Sequence, residues 1–566
     1  MAEYSTPASK GYPSPVKFEG HYSIFVLAFK HGVTWQMFSS EKQRLDYGKT
    51  LFDIGWRPHP GVLDPKKRTD RAFSPEFIFS PQASQSAMGT SRFISDEVNA
   101  ASLADHIGQR LNPNKLDAKF SEPLILTLES PSWLKQPLQC RKEIHDRNGN
   151  ISNNTFEFEM DWIDLWLLSD STGFIAFKAK QLGECSISTL SAMNLTLRDH
   201  CSENIYVCPV AKKDDERLLW NDLIISNWLG FESNSSLFST VLLNQNISDS
   251  RIKEPHDVFD QFQRYCKTLV FAQTPDIAEE QSLAWDRPLS DPMIHYNQKQ
   301  AQMVKDGDWD LTLTASQNAI IAGYASVRDM VCFELATFSE EGGAIGWNGK
   351  PGWQYSVEYI KNLMNQQSIE IWEHWIGLVL RDTCVFVSYD QSMPIHWQAE
   401  ARYYPLYLFT YHLRFRLDQL SQQAIDHDMA DAKRGYKLRD DFQRFRNHYC
   451  FHETTTDFMG DVVFDKMIKS LEVPGALETV KTEIDEVSQH IREKWDMVTR
   501  SLIAAWIVIT TLTSFDSGKY LLGILLLLLA TMGFTFYKHP QHPVIHKTTA
   551  FLNGIYSTIV KWMGKI

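Results

Sequence analysis

Hydrophobic and polar positions follow two different rhythms along this chain, and the change comes near Pro405. Before it, apolar residues occur in short alternating or continuous runs bounded by Pro, Gly, Asn and Asp, which predict strands at residues 22–29 (YSIFVLAF), 124–128 (LILTL), 268–272 and 382–389 (DTCVFVSY). A further short strand is predicted at 77–79, between the prolines that interrupt residues 58–81. Residues 155–179 read as a hairpin: FEFEMDWIDLWLL alternates, residues 170–173 turn and FIAFKAK returns. Helical spacing appears at 214–229, with Leu218, Leu219, Leu223, Ile224 and Trp228 on one side, and again at 318–335 and 356–366. Interspersed strands and helices predict an α/β layer domain over residues 21–404, preceded by a disordered lead over 1–20.

Beyond Pro405 the period is helical throughout. Two long helices are expected at 406–433 and 437–471, separated at Gly435, and a third from Pro474, whose missing N–H costs nothing in a first turn. On this third helix Leu477, Val480, Ile484, Val487, Ile491, Trp495, Val498 and Leu502 make one apolar seam. The seam runs into residues 501–515, which carry no charge, and residues 519–538 carry none either. The second run spans about 27 Å at about 1.5 Å per residue and fits a hydrocarbon core; the first is short enough to suit a buried core helix as well. The fold class expected is therefore an α/β cytosolic head, a long α-helical neck over 405–500 and a C-terminal two-helix transmembrane hairpin, with spans at 501–516 and 519–538. Arg492, Lys494, Arg500 and Lys538 flank the hairpin's outer ends, which places both termini in the cytoplasm and the protein in the cell (inner) membrane. Residues 549–566 form an amphipathic helix with Trp562 and lysines on its rim, suited to lie in the bilayer interface or to pack on the neck.

Composition narrows the partners. The chain has 566 residues, too many for one core, and a net charge of −13. Five lysines and no acid follow Asp516, so residues 1–516 carry −18, which argues against direct nucleic-acid binding and would gather cations at a pore mouth. The eight cysteines include no C-x-x-C pair and read as reduced, buried thiols. The N-terminal MAEYSTPASKGYPSPVK has no apolar core, so no signal peptide is expected.

Candidate chemistry concentrates on the first crossing. Val498, Leu502, Ala505, Ile509 and Thr513 continue the seam as pore-lining positions, and Asp516, 18 residues after Val498, returns to the same side after five turns. In a symmetric ring Asp516 would be an acidic cation-selecting ring and the candidate metal ligand; otherwise it caps the second crossing at Ser517 and Gly518. Asp306, Asp308 and Asp310 alternate as in a calcium loop but lack its turn glycine and its twelfth-position Glu. Glu373 and His374 read as packing residues, and residues 346–352 (GWNGKPG) as a turn-rich loop. No phosphate loop, H-E-x-x-H or G-x-S-x-G occurs, so no enzymatic activity is expected and no catalytic residue is assigned.

The layout of head, neck helices, a helix from Pro474 into the first crossing, short loop and second crossing resembles the CorA family of metal-ion transporters, and WIGLVLRDTCVFV (375–387) and FRNHYCFHETTTDFMGDVVFDKM (445–467) are loosely similar to it. The resemblance covers residues 370–538. It implies a homopentamer in the lipid bilayer, a pore lined by the long helix, and a divalent cation such as magnesium as transported or regulatory ion. The family's Gly-Met-Asn is replaced here by Ser514, Phe515, Asp516, Ser517 and Gly518. With its large head the chain looks most like the CorA-type membrane effectors found beside type III CRISPR systems, which implies antiviral defence and gating by a nucleotide second messenger. If five copies of the 477–502 seam pack around one axis, apolar rings at Leu502 and Ile509 would close the pore by dewetting. Two other readings stay open: a membrane-anchored ligand-binding sensor without conduction, and an ordinary divalent metal-ion transporter.

Overall fold

The computed structural model describes residues 17–30 except 19, 56–58, 124–128, 136–145, 151–168, 172–199 except 184, 204–210, 218–220, 223, 266–274, 327–339, 357–372, 375–388, 403–426, 432–450 and 458–513. In chain order its elements are β1 (Lys17–Phe18), β2 (Gly20–Lys30), β3 (Trp56–Pro58), β4 (Leu124–Leu128), β5 (Leu138–His145), β6 (Ile151–Leu167), β7 (Thr172–Gln181), β8 (Cys185–Ser186), α1 (Ile187–Leu197), β9 (Ile205–Pro209) and β10 (Leu218–Leu219). There follow β11 (Lys267–Gln273), α2 (Val327–Thr337), α3 (Val357–Gln367), β12 (Ser368–Trp372), β13 (Trp375–Val379), β14 (Thr383–Ser388), α4 (Tyr404–Ile425), α5 (Ala432–Tyr449), α6 (Phe458–Ser470) and α7 (Val473–Thr513). Two compact units result: Met1–Leu413 with Phe451–Glu472, and Arg414–Cys450 with Val473–Ile566.

The first unit is built on one mixed sheet in the order β10-β9-β5-β6-β7-β2-β11-β14-β13-β12, with β4 on β6 and β3 on β4. Neighbours pair antiparallel except β11 and β14, which run parallel from Thr268 beside Thr383 to Gln273 beside Ser388. A strand covered on both faces has no position for a polar side chain facing water, and this explains the unbroken apolar run of β2 and the fully buried β11, β13 and β14. One face carries Phe25, Leu27 and Phe29 of β2 with Ile175, Phe177 and Ala179 of β7 into a core completed by α1 and α2. The other face meets the first half of α4 through rings: Trp162 lies 5.4 Å from Tyr404, Phe174 5.4 Å from Tyr411, and Phe386 stacks on Tyr403 at 4.9 Å. Gly173 sits across from Phe29, whose ring would stand 2.5 Å from any added Cβ, so the second residue of β7 must be glycine for β2 to keep that phenyl.

Helix α1 starts cleanly because Ser186 and Thr189 form a reciprocal capping box, the Thr189 N–H donating to Ser186 Oγ at 3.3 Å and the Ser186 N–H to Thr189 Oγ1 at 2.8 Å. Helix α6 rests on the β12–β13 end of the sheet, where Ser470 Oγ donates to the Val379 carbonyl at 2.7 Å and Lys466 Nζ to the Gln366 carbonyl at 2.6 Å. It ends on Glu472, held left-handed at φ 55, after which α7 begins at once.

Several expectations change. The helix expected from residue 214 does not cover Leu218 and Leu219, which pair as the edge strand β10 with Val207 and Tyr206; pairing with the sheet outweighs a helical spacing of leucines. Gly435 lies inside α5 rather than between helices, because an isolated glycine costs only about 1 kcal/mol in a helix that has a face to bury. The single helix expected over 437–471 is two, α5 and α6, and they belong to different units, so the stretch read as one neck from 405 to 500 is divided. The disordered lead expected over 1–20 is shorter at its end, since Lys17 and Phe18 pair as β1 with β8 and Gly20 opens β2. The rest of that lead, the strand at 77–79, the Asp306, Asp308 and Asp310 trio, Glu373 and His374, and the loop 346–352 lie outside the described residues.

Candidate functional site

Helix α7 is the element on which the chemistry predicted from the sequence falls. It runs 41 residues without interruption, about 60 Å at about 1.5 Å per residue, so the neck seam and the first 13 positions of the uncharged run share one backbone. Val498, Leu502, Ala505, Ile509 and Thr513 are all on it, whereas Asp516, the residues of the second run and the terminal amphipathic helix lie outside the described residues. Among the described residues no helix is long and apolar enough to cross a membrane, and no group of three or more His, Cys, Asp or Glu side chains could hold a metal ion.

The upper seam has a partner that the sequence reading did not give it. Val480, Ile484 and Ile491 are at most 2 % exposed, and α5 packs along α7 in the same unit. The face α5 offers is Gly435, Leu438, Phe442, Phe445 and Tyr449, all buried and spaced three and four apart, which is the a/d rhythm of a coiled-coil seam. An α5 of 18 residues reaches about 27 Å, the length of α7 from Val473 to Ile491. Over that length the buried positions of the seam are covered within the chain.

After Ile491 the spacing itself changes. Val487, Ile491, Trp495 and Val498 follow at four, four and three, the local insertion that relaxes a left-handed supercoil. Exposure rises over the same turns, with Trp495 half-buried and Met497 69 % exposed. Comparison adds no relative. The chain matches no protein-family model, no curated protein and no solved structure.

In the sheet unit Asp382, just before β14, is surrounded by several cations. Burial alone would raise its carboxyl, but Lys267, which also donates to it, together with Arg198 and Arg381, outweighs burial and holds it below its ordinary value. Lys267 Nζ donates as well to the Arg381 carbonyl at 2.7 Å and stands 5.6 Å above the Tyr411 ring. Arg198 lies 5.0 Å over Phe338, a bulky residue held left-handed at φ 53. This cluster fastens the start of β11 to the turn before β14. His21 is neutral: burial lowers it to about 4, against a hydrogen bond between Nε2 and the Gln181 carbonyl at 3.1 Å. Burial pushes the thiols of Cys185 and Cys450 up to about 12 and about 11, and those of Cys140, Cys332 and Cys384 higher, so all five stay protonated and poorly nucleophilic at neutral pH.

Proposed function

We propose that this chain is a CorA-like oligomeric membrane channel or effector whose sheet domain gates a cation path through its C-terminal hairpin. One observation carries the reading: α7 continues from the packed α5 seam into the uncharged run with no break at the junction, so a displacement of the neck is passed to the first crossing as motion of a single rod. Val498, Leu502, Ala505, Ile509 and Thr513 line the path, Asp516 supplies the acidic ring and candidate metal site, and magnesium or another divalent cation is the transported or regulatory ion. The bilayer is the inner membrane with both termini cytoplasmic, the assembly is a homopentamer, and the gating ligand is a nucleotide messenger of an antiviral CRISPR response, with no enzymatic step.

A second reading draws on the covered seam. Since Val480, Ile484 and Ile491 are already buried within the chain, where α5 packs on α7, the upper neck needs no second copy to cover it, as suits a sensor that the hairpin merely anchors. Liposome flux decides. Cation flux from the reconstituted full chain that falls at least about tenfold in Asp516→Ala supports the channel, for a ring of carboxylates concentrates cations at the mouth. A silent protein that still floats with the vesicles and binds a nucleotide supports the anchor.

A further inference from the structure

With one stripe of α5 and one of α7 sealed against each other, the opposite stripes remain, and they carry opposite charge. At about 100° per residue, Glu478, Asp485, Glu486, Glu493 and Asp496 fall within a sector of about 100° centred opposite Val480, Ile484 and Ile491. All five are exposed, and Arg500 is the one cation in that sector; Lys481 and Arg492 flank it. Helix α5 exposes Lys433, Arg434, Lys437, Arg439, Arg444 and Arg446 against Asp440 and the half-buried Asp441. Of these, Lys433, Lys437 and Arg444 lie within about 40° of one another on the side away from Leu438, Phe442 and Phe445. In a chain of net charge −13 a helix with six cations and two acids is a local reversal. The two stripes also match in length: 433 to 446 spans about 20 Å and 478 to 496 about 27 Å.

We infer that the basic outer face of α5 docks on the acidic outer face of α7 in a second copy of this chain. The partner is another copy because both complementary faces stand on every chain and point away from the seam they share, so neither can satisfy the other within one pair of helices. A contact between two different faces is heterologous: each copy offers one face forward and one back, and the series closes into a ring. The inference rests on the oligomeric reading above and supplies its interface, with the charges setting partner and register more than strength.

The test uses the full chain in detergent, with oligomer size read by native mass measurement and by cross-linking at low and high salt. In one variant Lys433→Glu, Lys437→Glu and Arg444→Glu make both faces acidic; in the other Asp485→Lys, Glu486→Lys and Glu493→Lys make both basic. Each alone should weaken self-association at least about tenfold, and combining all six changes in one chain should restore it. Restoration also shows that the variants fold. If wild type is oligomeric and neither variant dissociates, or the combined chain stays dissociated, the interface is elsewhere and only this inference falls. A monomeric wild type removes the channel reading as well. Loss of flotation with phosphatidylserine vesicles in the first variant, not regained in the six-fold one, would assign the α5 face to anionic lipid and overturn the inference.

Discussion

The sheet unit and the α5–α7 pair bury apolar side chains by opposite means. In the sheet, β11, β13 and β14 are buried at every position because helices cover both faces, and Trp56, Trp166 and Trp220 are each at most 1 % exposed. In the helix pair only every third or fourth residue is buried: three positions on α7 between Val480 and Ile491, and five on α5. A two-sided layer spreads its stability over many side chains and unfolds as a whole. A single stripe relies on a few and can open locally, which is what a moving part requires.

The comparison can be broken most forcefully in the sheet. Trp166→Ala should cost about 4 kcal/mol and shift the whole unfolding transition of that unit, measured by denaturant titration; a loss below about 1 kcal/mol would show that this core tolerates cavities and is no stiffer than the stripe. In the stripe, Ile484→Ala should cost about 3 kcal/mol, but locally. Hydrogen exchange should speed up over α5 and the first half of α7, while the amides of β2 and β7 keep their protection. Equal acceleration in β2 would mean that the two units unfold together.

Acid sharpens the contrast from the sheet side. His21 titrates at about 4 when folded and near 6.5 when unfolded, so the unfolded chain binds the extra proton first. Stability from this residue is complete above pH 6.5, declines as pH falls, and is lost on passing through 4, a change on the order of 3 kcal/mol. His21→Gln should flatten stability between pH 7 and 4 in the sheet unit and leave the exchange rates of α5 unchanged. The smallest effect is expected at Lys469 and Asp465, 2.6 Å apart but each more than half exposed: Lys469→Met should change stability by less than about 0.5 kcal/mol in a calorimetric scan.

How much of this was legible differs by element. Residues 124–128 and 268–272 announced strands because burial on a sheet demands apolar β-formers, and β4 and β11 contain them. The spacing 435, 438, 442, 445, 449 is also in the chain, but a glycine at its first position carries the signal of a helix stop, and this hides the cover of α7. Partners were hidden for a different reason. That β11 lies parallel to β14 and antiparallel to β2 depends on which apolar run meets which, and every such run here is chemically alike. For the site, the continuity of α7 could be read from unbroken seam spacing, whereas the Arg198, Lys267, Arg381 and Asp382 cluster could not, since its members come from three places more than 60 residues apart.

The place of β2 in the sheet also sets a schedule for synthesis. Its two neighbours are β7, ending at Gln181, and β11, ending at Gln273, so the strand made first must wait for about 240 further residues before both edges are paired. At about 5–20 residues per second that delay is roughly 12 to 50 seconds. During it the nascent chain exposes SIFVLAF, an uncharged, proline-free segment of strong β-former character that invites pairing with its own kind on neighbouring ribosomes. A chaperone that holds the first thirty residues should raise the yield of folded protein more than one that acts after release.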